Sequence, residues 1–175
     1  MYEISYLQMF VFITVCWIIF RVAHAIIKKE VKWKRELQLL LVYICIVVIA
    51  RYIYFPRELV NGKIALLKVD LSKILEFNIN WRALTFLWER YDGWKGNVIG
   101  NISMFIPVGI VWPVCFKELN SISKVTLAGF VYTLLIEISQ LPLERVTDVD
   151  DLILNTTGTF IGALIYFSIK KIRNK

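Results

Sequence analysis

This 175-residue chain has a single histidine, His24, and three cysteines, Cys16, Cys45 and Cys115, which stand apart inside apolar runs. It contains no CxxC pair and no Cys/His cluster. A zinc site needs about four ligands at suitable spacing, so the sequence offers none, and no cofactor is expected. An odd set of scattered thiols reads as small packing residues rather than a disulfide framework. Internal repeats, low-complexity tracts and a recognisable nucleophile motif are also missing, and residues 1–175 read as one domain. The net charge of +7 raises nucleic acid as a partner. No basic groove or known binding fold accompanies it, so nucleic-acid binding is not expected.

What the chain does have is long hydrophobic runs. It is 58% hydrophobic, with a mean hydropathy of +0.61, against roughly 45–50% apolar in an ordinary soluble domain. Five runs approach the roughly 20 residues needed to cross the hydrocarbon. They are Tyr6–Ile27, Leu37–Phe55, Val98–Phe116, Ile122–Leu141 and Leu152–Ile169. None alternates as a barrel strand would, and a helix satisfies its own backbone in lipid. The expected fold is an all-α, polytopic membrane helix bundle of about five spans. The first run resembles a secretory signal at Ala23-His24-Ala25, but it is preceded by Glu3 and no Lys or Arg. A signal peptide needs a positive start, so an uncleaved span is expected.

Positive charge follows the first run at Lys28, Lys29, Lys32, Lys34 and Arg35, and closes the chain at Lys170, Lys171, Arg173 and Lys175. The positive-inside rule makes these ends cytoplasmic. The N-terminus, the loop at about 56–97 and the short loop at about 142–151 then face outward, although the long loop is itself mildly positive. Within that loop Ile64, Leu67, Leu71, Ile74 and Leu75 recur at helical spacing among Lys63, Lys68, Asp70 and Lys73. This pattern predicts an interfacial amphipathic helix. Trp81, Phe86, Trp88, Tyr91 and Trp94 follow it, and such aromatics favour the headgroup level. The loop is either a lid on the bundle or a wall of a lipid-accessible pocket. His24 and Arg21 read as interfacial anchors.

This orientation gathers polar residues at one level. Arg51 ends the second span, Asn97 and Asn101 start the third, and Glu137 and Gln140 end the fourth. Arg145, Asp148, Asp150, Asp151 and Asn155 lie before and within the start of the fifth. Ionisable residues at the mouth of a span are costly, which makes function their default reading. Asp148, Asp151, Asn155, Gly158 and Gly162 step by 3, 4, 3 and 4, forming one seam if the helix begins by Asp148. Its Gly-x-x-x-Gly end lets another helix approach closely. Pro107, with Gly109 two residues on, is expected to kink the third span and widen the space above it. A purely structural reading stands beside this one. Thr147-x-x-Asp150 has capping-box spacing, acids favour a helix start, Arg145 pairs with Glu137 or an Asp, and the amides bond across helices.

Gly100-Asn101-Ile-Ser-Met-Phe105-Ile-Pro107-Val-Gly109, then Glu137-Ile-Ser-Gln140, then Arg145-Val-Thr-Asp148-Val-Asp150-Asp151-Leu-Ile-Leu-Asn155-Thr-Thr-Gly158 resemble the VanZ-like family. The resemblance covers about residues 95–165. The family's Asn-x-x-Pro-Phe-like stretch falls near Asn80–Phe86, without the Pro. The resemblance implies a bacterial cell-membrane protein with a role in tolerance of teicoplanin-type glycopeptides, and supplies no mechanism.

Three functions follow. In the first, an outer polar pocket binds a membrane lipid, a lipid-linked cell-wall precursor or a glycopeptide antibiotic. Arg51 and Arg145 contact phosphate or carboxylate, while Asn97, Asn101 and Gln140 donate hydrogen bonds. In the second, a membrane enzyme uses Glu137, Asp148 and Asp151 as acid and base, or holds a divalent cation on Asp148, Asp150 and Asp151. With no histidine in the layer, the balance leans away from catalysis. In the third, the chain is a structural or assembly subunit and damage follows Gly158 and Gly162. A transporter is disfavoured by the lack of a repeat pair.

Overall fold

The structure, a computed structural model, describes residues 1–55, 59–60, 62–76, 79–89, 92–143 and 147–174. The chain divides into two compact units, Met1–Leu71 and Ser72–Lys175. Among the described residues, five helices are long and apolar enough to cross a membrane.

The first unit opens with strand β1 (Tyr2–Ile4) and helix α1 (Tyr6–Lys28). Ser5 caps α1 in a capping box: Gln8 N donates to Ser5 Oγ at 3.2 Å and Ser5 N donates to Gln8 Oε1 at 2.8 Å. No α1 residue is buried, as suits a helix whose apolar surface faces lipid tails instead of a protein core. Helix α2 (Trp33–Tyr54) buries Leu39, Val42, Cys45, Ile49, Ala50 and Ile53. The Thr14 and Tyr43 hydroxyls share a hydrogen bond of 2.7 Å, joining the two helices. Strands β2 (Leu59–Val60), β3 (Lys63–Ile64) and β4 (Leu67–Val69) follow. β2 pairs with β3, and β4 pairs with β1 in antiparallel register, Tyr2 opposite Val69 and Ile4 opposite Leu67.

These strands correct the sequence reading of the loop. Where an amphipathic helix is expected over 64–75, the chain forms β3, β4 and a short 3₁₀ helix at Leu71–Leu75. Apolar spacing of 3 and 4 marks one helix face only if the backbone is helical. Here the distant Tyr2–Ile4 segment supplies a ladder partner, and Leu67 turns inward while Lys68 is exposed.

The second unit adds strand β5 (Ile79–Asn80), a 3₁₀ turn at Thr85–Leu87 and helices α3 (Trp94–Cys115) and α4 (Ile122–Gln140). Strand β6 (Thr147–Asp148) and helix α5 (Val149–Arg173) complete it. α3 continues as one helix through Pro107 and Pro113, which lipid-embedded helices tolerate when neighbouring groups re-satisfy the backbone. The most extensive helix contact is α3 with α5. Glycine makes it. A Cβ on Gly109 would stand 2.7 Å from Ala163 N, and one on Gly162 would stand 2.9 Å from Gly109 Cα. One on Gly158 would meet the Ile102 carbonyl and lie 3.0 Å from Phe105 Cβ. Contacts ascending together along both helices make α3 and α5 parallel. α4 runs antiparallel to α5, since Thr133 meets Asn155 and Gly129 meets Thr159. The register therefore puts the start of α3, the end of α4 and the start of α5 at one end of the unit.

Candidate functional site

That end carries a layer of buried polar side chains. Asn101, Glu137, Gln140, Asp150 and Asn155 are all at most 7% exposed, and Thr133 beneath them is wholly enclosed. In α4 the layer follows helical spacing: Gly129, Thr133, Glu137 and Gln140 lie on the buried face. In α5 the buried face reads Asp150, Leu154, Asn155, Gly158, Thr159 and Gly162. One face thus supplies close packing below and polar chemistry above.

The three aspartates at the start of α5 have different partners. Asp148 is the N-cap: its Oδ1 accepts from Asp150 N at 2.9 Å. This replaces the expected Thr147 cap, because Thr147 is held in β6 opposite Ile79. Asp148 Oδ2 also accepts from Asn80 Nδ2 at 3.3 Å. Asp150 turns to the 79–89 segment. Its carboxylate accepts from the backbone N–H groups of Leu84 and Thr85, the latter at 2.8 Å, and from the Thr85 hydroxyl. Leu84 adopts a left-handed φ of 62°. A branched side chain rarely takes that conformation, and here it lets two successive N–H groups point at one carboxylate. Asp151 turns to α3, where Asn101 Nδ2 donates to its Oδ1 at 2.5 Å and to Asn97 Oδ1 at 3.2 Å. Among the described residues no group of three or more His, Cys, Asp or Glu is disposed to hold a metal ion.

One turn deeper, Asn155 Nδ2 donates to Thr133 Oγ1 at 2.9 Å, joining α5 to α4. Asn155 Oδ1 is enclosed and has no hydrogen-bond partner among the described residues. A buried acceptor in that state asks for a donor from water or ligand. A double-mutant cycle of Thr133→Val and Asn155→Leu is expected to give a coupling of about 1 kcal/mol, in the range found for interhelical polar pairs. Detergent-induced unfolding in bicelles checks it, and additive effects would show that the bond contributes nothing.

The structure thus brings Asn97, Asn101, Glu137, Gln140, Asp148, Asp150, Asp151 and Asn155 to one end of the second unit. Arg145 lies outside the described residues. Arg51 belongs to the first unit, where its guanidinium is 5.6 Å from the ring centroids of Tyr6 and Tyr52 and donates to the Phe55 carbonyl at 3.3 Å. Sequence reasoning missed Thr133, Asn80, Leu84 and Thr85. Thr133 stands four residues before Glu137 on the same face and was discoverable by spacing. The loop contacts carry no local signal, since they are backbone donors and a turn conformation.

Fold and site define a class: a helical membrane protein with five candidate spans and a buried acid-amide layer where three of them meet. A profile of the VanZ/LLP1 family matches residues 9–170. The chain belongs to that family. It is 32% identical over 104 residues to Protein VanZ of Enterococcus faecium, a match covering 59% of this chain and 64% of that protein. No solved structure matches.

Proposed function

We propose that the polar layer is an outer-leaflet pocket for a cell-envelope lipid, a lipid-linked cell-wall precursor or a glycopeptide of the teicoplanin type. The observation that carries this reading is the burial of Asn101, Glu137, Gln140 and Asn155 where three apolar helices meet. Removing such groups from water is costly unless each is hydrogen-bonded, and the acceptor of Asn155 still wants a donor. Family membership and the positive-inside bias of the loops support a bacterial cell membrane and an outward-facing site. Asp148 and Asp150 brace the neighbouring loop. Asp151, Asn97, Asn101, Glu137, Gln140 and Asn155 meet the ligand's hydroxyl, amide or ammonium groups, and Arg145 meets its phosphate or carboxylate.

The test uses Glu137→Gln and Arg145→Gln, each expressed at the wild-type level in a glycopeptide-sensitive bacterial host. Teicoplanin tolerance conferred by the wild-type chain is expected to drop to that of the empty vector in both. Envelope lipid co-purifying with the protein should fall in parallel. If tolerance and lipid retention survive both changes, the pocket is not the site.

Catalysis by Glu137, Asp148 and Asp151 is the lesser reading, because Asp148 caps a helix and Asp151 holds Asn101. Turnover of a labelled lipid by purified protein, lost in Asp151→Asn, would restore it.

A further inference from the structure

The N-terminal unit has a polar cluster of its own, where α1 turns into α2. A cavity of about 220 Å³ opens there between Arg21, Lys28, Lys32 and Arg35 and the two carboxylates Glu30 and Glu36, with His24 also on its wall. Four fixed cations against two anions leave the lining positive by two charges. Glu36 is already committed: Arg21 grips it bidentately, Nε to Oε2 at 2.9 Å and Nη2 to Oε1, across the two helices. Glu30 pairs with Lys32 at 3.3 Å, but both side chains are more than 60% exposed, and such pairs are weak. The cavity therefore keeps an excess of positive charge around a wall held rigid by the Arg21–Glu36 pair.

Flanking charge of this sign is ordinary beside a membrane span. Its placement here is not. Lys32 occupies the N-cap of α2 and provides no side-chain cap, and Lys34 and Arg35 share the first turn with Glu36, whose carboxylate Arg21 holds. The N-terminus of a helix is the positive end of its dipole and presents unsatisfied N–H groups, so anions belong there and cations oppose it. A further anion would offset the repulsion among the cations gathered there. Trp33, in the same first turn, is 82% exposed, and an exposed indole beside a membrane span marks headgroup depth.

We propose that the α1–α2 turn binds the phosphate of an anionic phospholipid headgroup, with Lys28, Lys32 and Arg35 on its oxygens and Trp33 seated among neighbouring headgroups. This site is independent of the α3–α5 pocket and stands or falls without it. Basic pockets at the ends of spans are the known means of holding such lipids.

The test is native mass spectrometry of the full detergent-purified chain titrated with phosphatidylglycerol or phosphatidylcholine. The wild type is expected to retain phosphatidylglycerol about tenfold better, from the attraction each basic residue adds near the phosphate. The combined Lys28→Gln, Lys32→Gln, Arg35→Gln variant should lose that preference. A control carrying Lys170→Gln, Lys171→Gln and Arg173→Gln should keep it. The single Lys28→Gln variant, which leaves the Arg21–Glu36 pair intact, should lose part of it and guards against misfolding of the triple variant. Preference retained in both Lys28 variants, or lost equally in the control, overturns the proposal. Displacement of the lipid by millimolar inorganic phosphate would assign the pocket to a soluble phosphate and overturn the lipid assignment; no displacement supports it.

Discussion

Gly162→Val is expected to yield a protein that inserts but does not hold α3 against α5. The added Cβ would be driven into the Ile106 carbonyl and lie 2.9 Å from Gly109 Cα. Those neighbours are backbone, which cannot rotate aside, so the helices must separate along their most extensive contact. Overpacking a tight core costs roughly 1–3 kcal/mol even where side chains adjust, and here the loss should lie at or above the top of that range. Gly109→Val should act alike, since its Cβ faces Thr159 O and Ala163 N from the opposite side. Gly96→Ala is the control: nothing lies within 4 Å of its Cβ, and a shift within about 0.5 kcal/mol is expected. Unfolding midpoints in mixed micelles measure all three. A Gly162→Val midpoint equal to wild type would show that the two helices are not held by this seam. Because α3 carries Asn101 and α5 carries Asp151, separation should also break the hydrogen bond between them.

Asp150→Ala is expected to release the 79–89 segment. The substitution leaves the N–H groups of Leu84 and Thr85 without their acceptor, together with the Thr85 hydroxyl. A hydrogen bond to a charged group contributes about 1.5–3 kcal/mol, and orphaned donors add a desolvation cost. A combined local loss of about 3–5 kcal/mol follows. Limited proteolysis is expected to cut near Leu84 in the variant and to spare that site in the wild type, while α3–α5 packing persists. Asp150→Asn should fall between, since the amide keeps one acceptor oxygen. Equal protease resistance in Asp150→Ala and wild type would remove the brace.

The helices were legible because a lipid span must be both long and apolar, and five such runs are plain in the composition. Their ends were less so. α2 begins at Trp33 and α3 at Trp94, earlier than apolarity indicates, because Trp33–Glu36 and Trp94–Asn97 are helical without forming an apolar run. The 64–75 segment shows the opposite failure, a helical period on a chain that pairs as strands. The polar residues of the candidate layer were identifiable by type and spacing, since Glu137, Gln140, Asp151 and Asn155 recur on helix faces. Their division of labour was not. Asp148, Asp150 and Asp151 look equivalent in sequence and have three different sets of partners.

By itself, the sequence determined that this protein belongs in a membrane, where along the chain its five candidate spans lie and which polar groups must find partners there. Those properties follow from transfer costs and from helical and glycine periodicity, both local. Tertiary structure decided that Asp150 holds Leu84 and Thr85, that Asp151 reaches Asn101, and that Asn155 reaches Thr133. Each pairing joins residues at least 22 positions apart. The register of α3 and α4 on α5, set by close contact at Gly109, Gly129, Gly158 and Gly162, brings Asp151 to Asn101 and Asn155 to Thr133, and the path of the 79–89 segment brings Leu84 and Thr85 to Asp150.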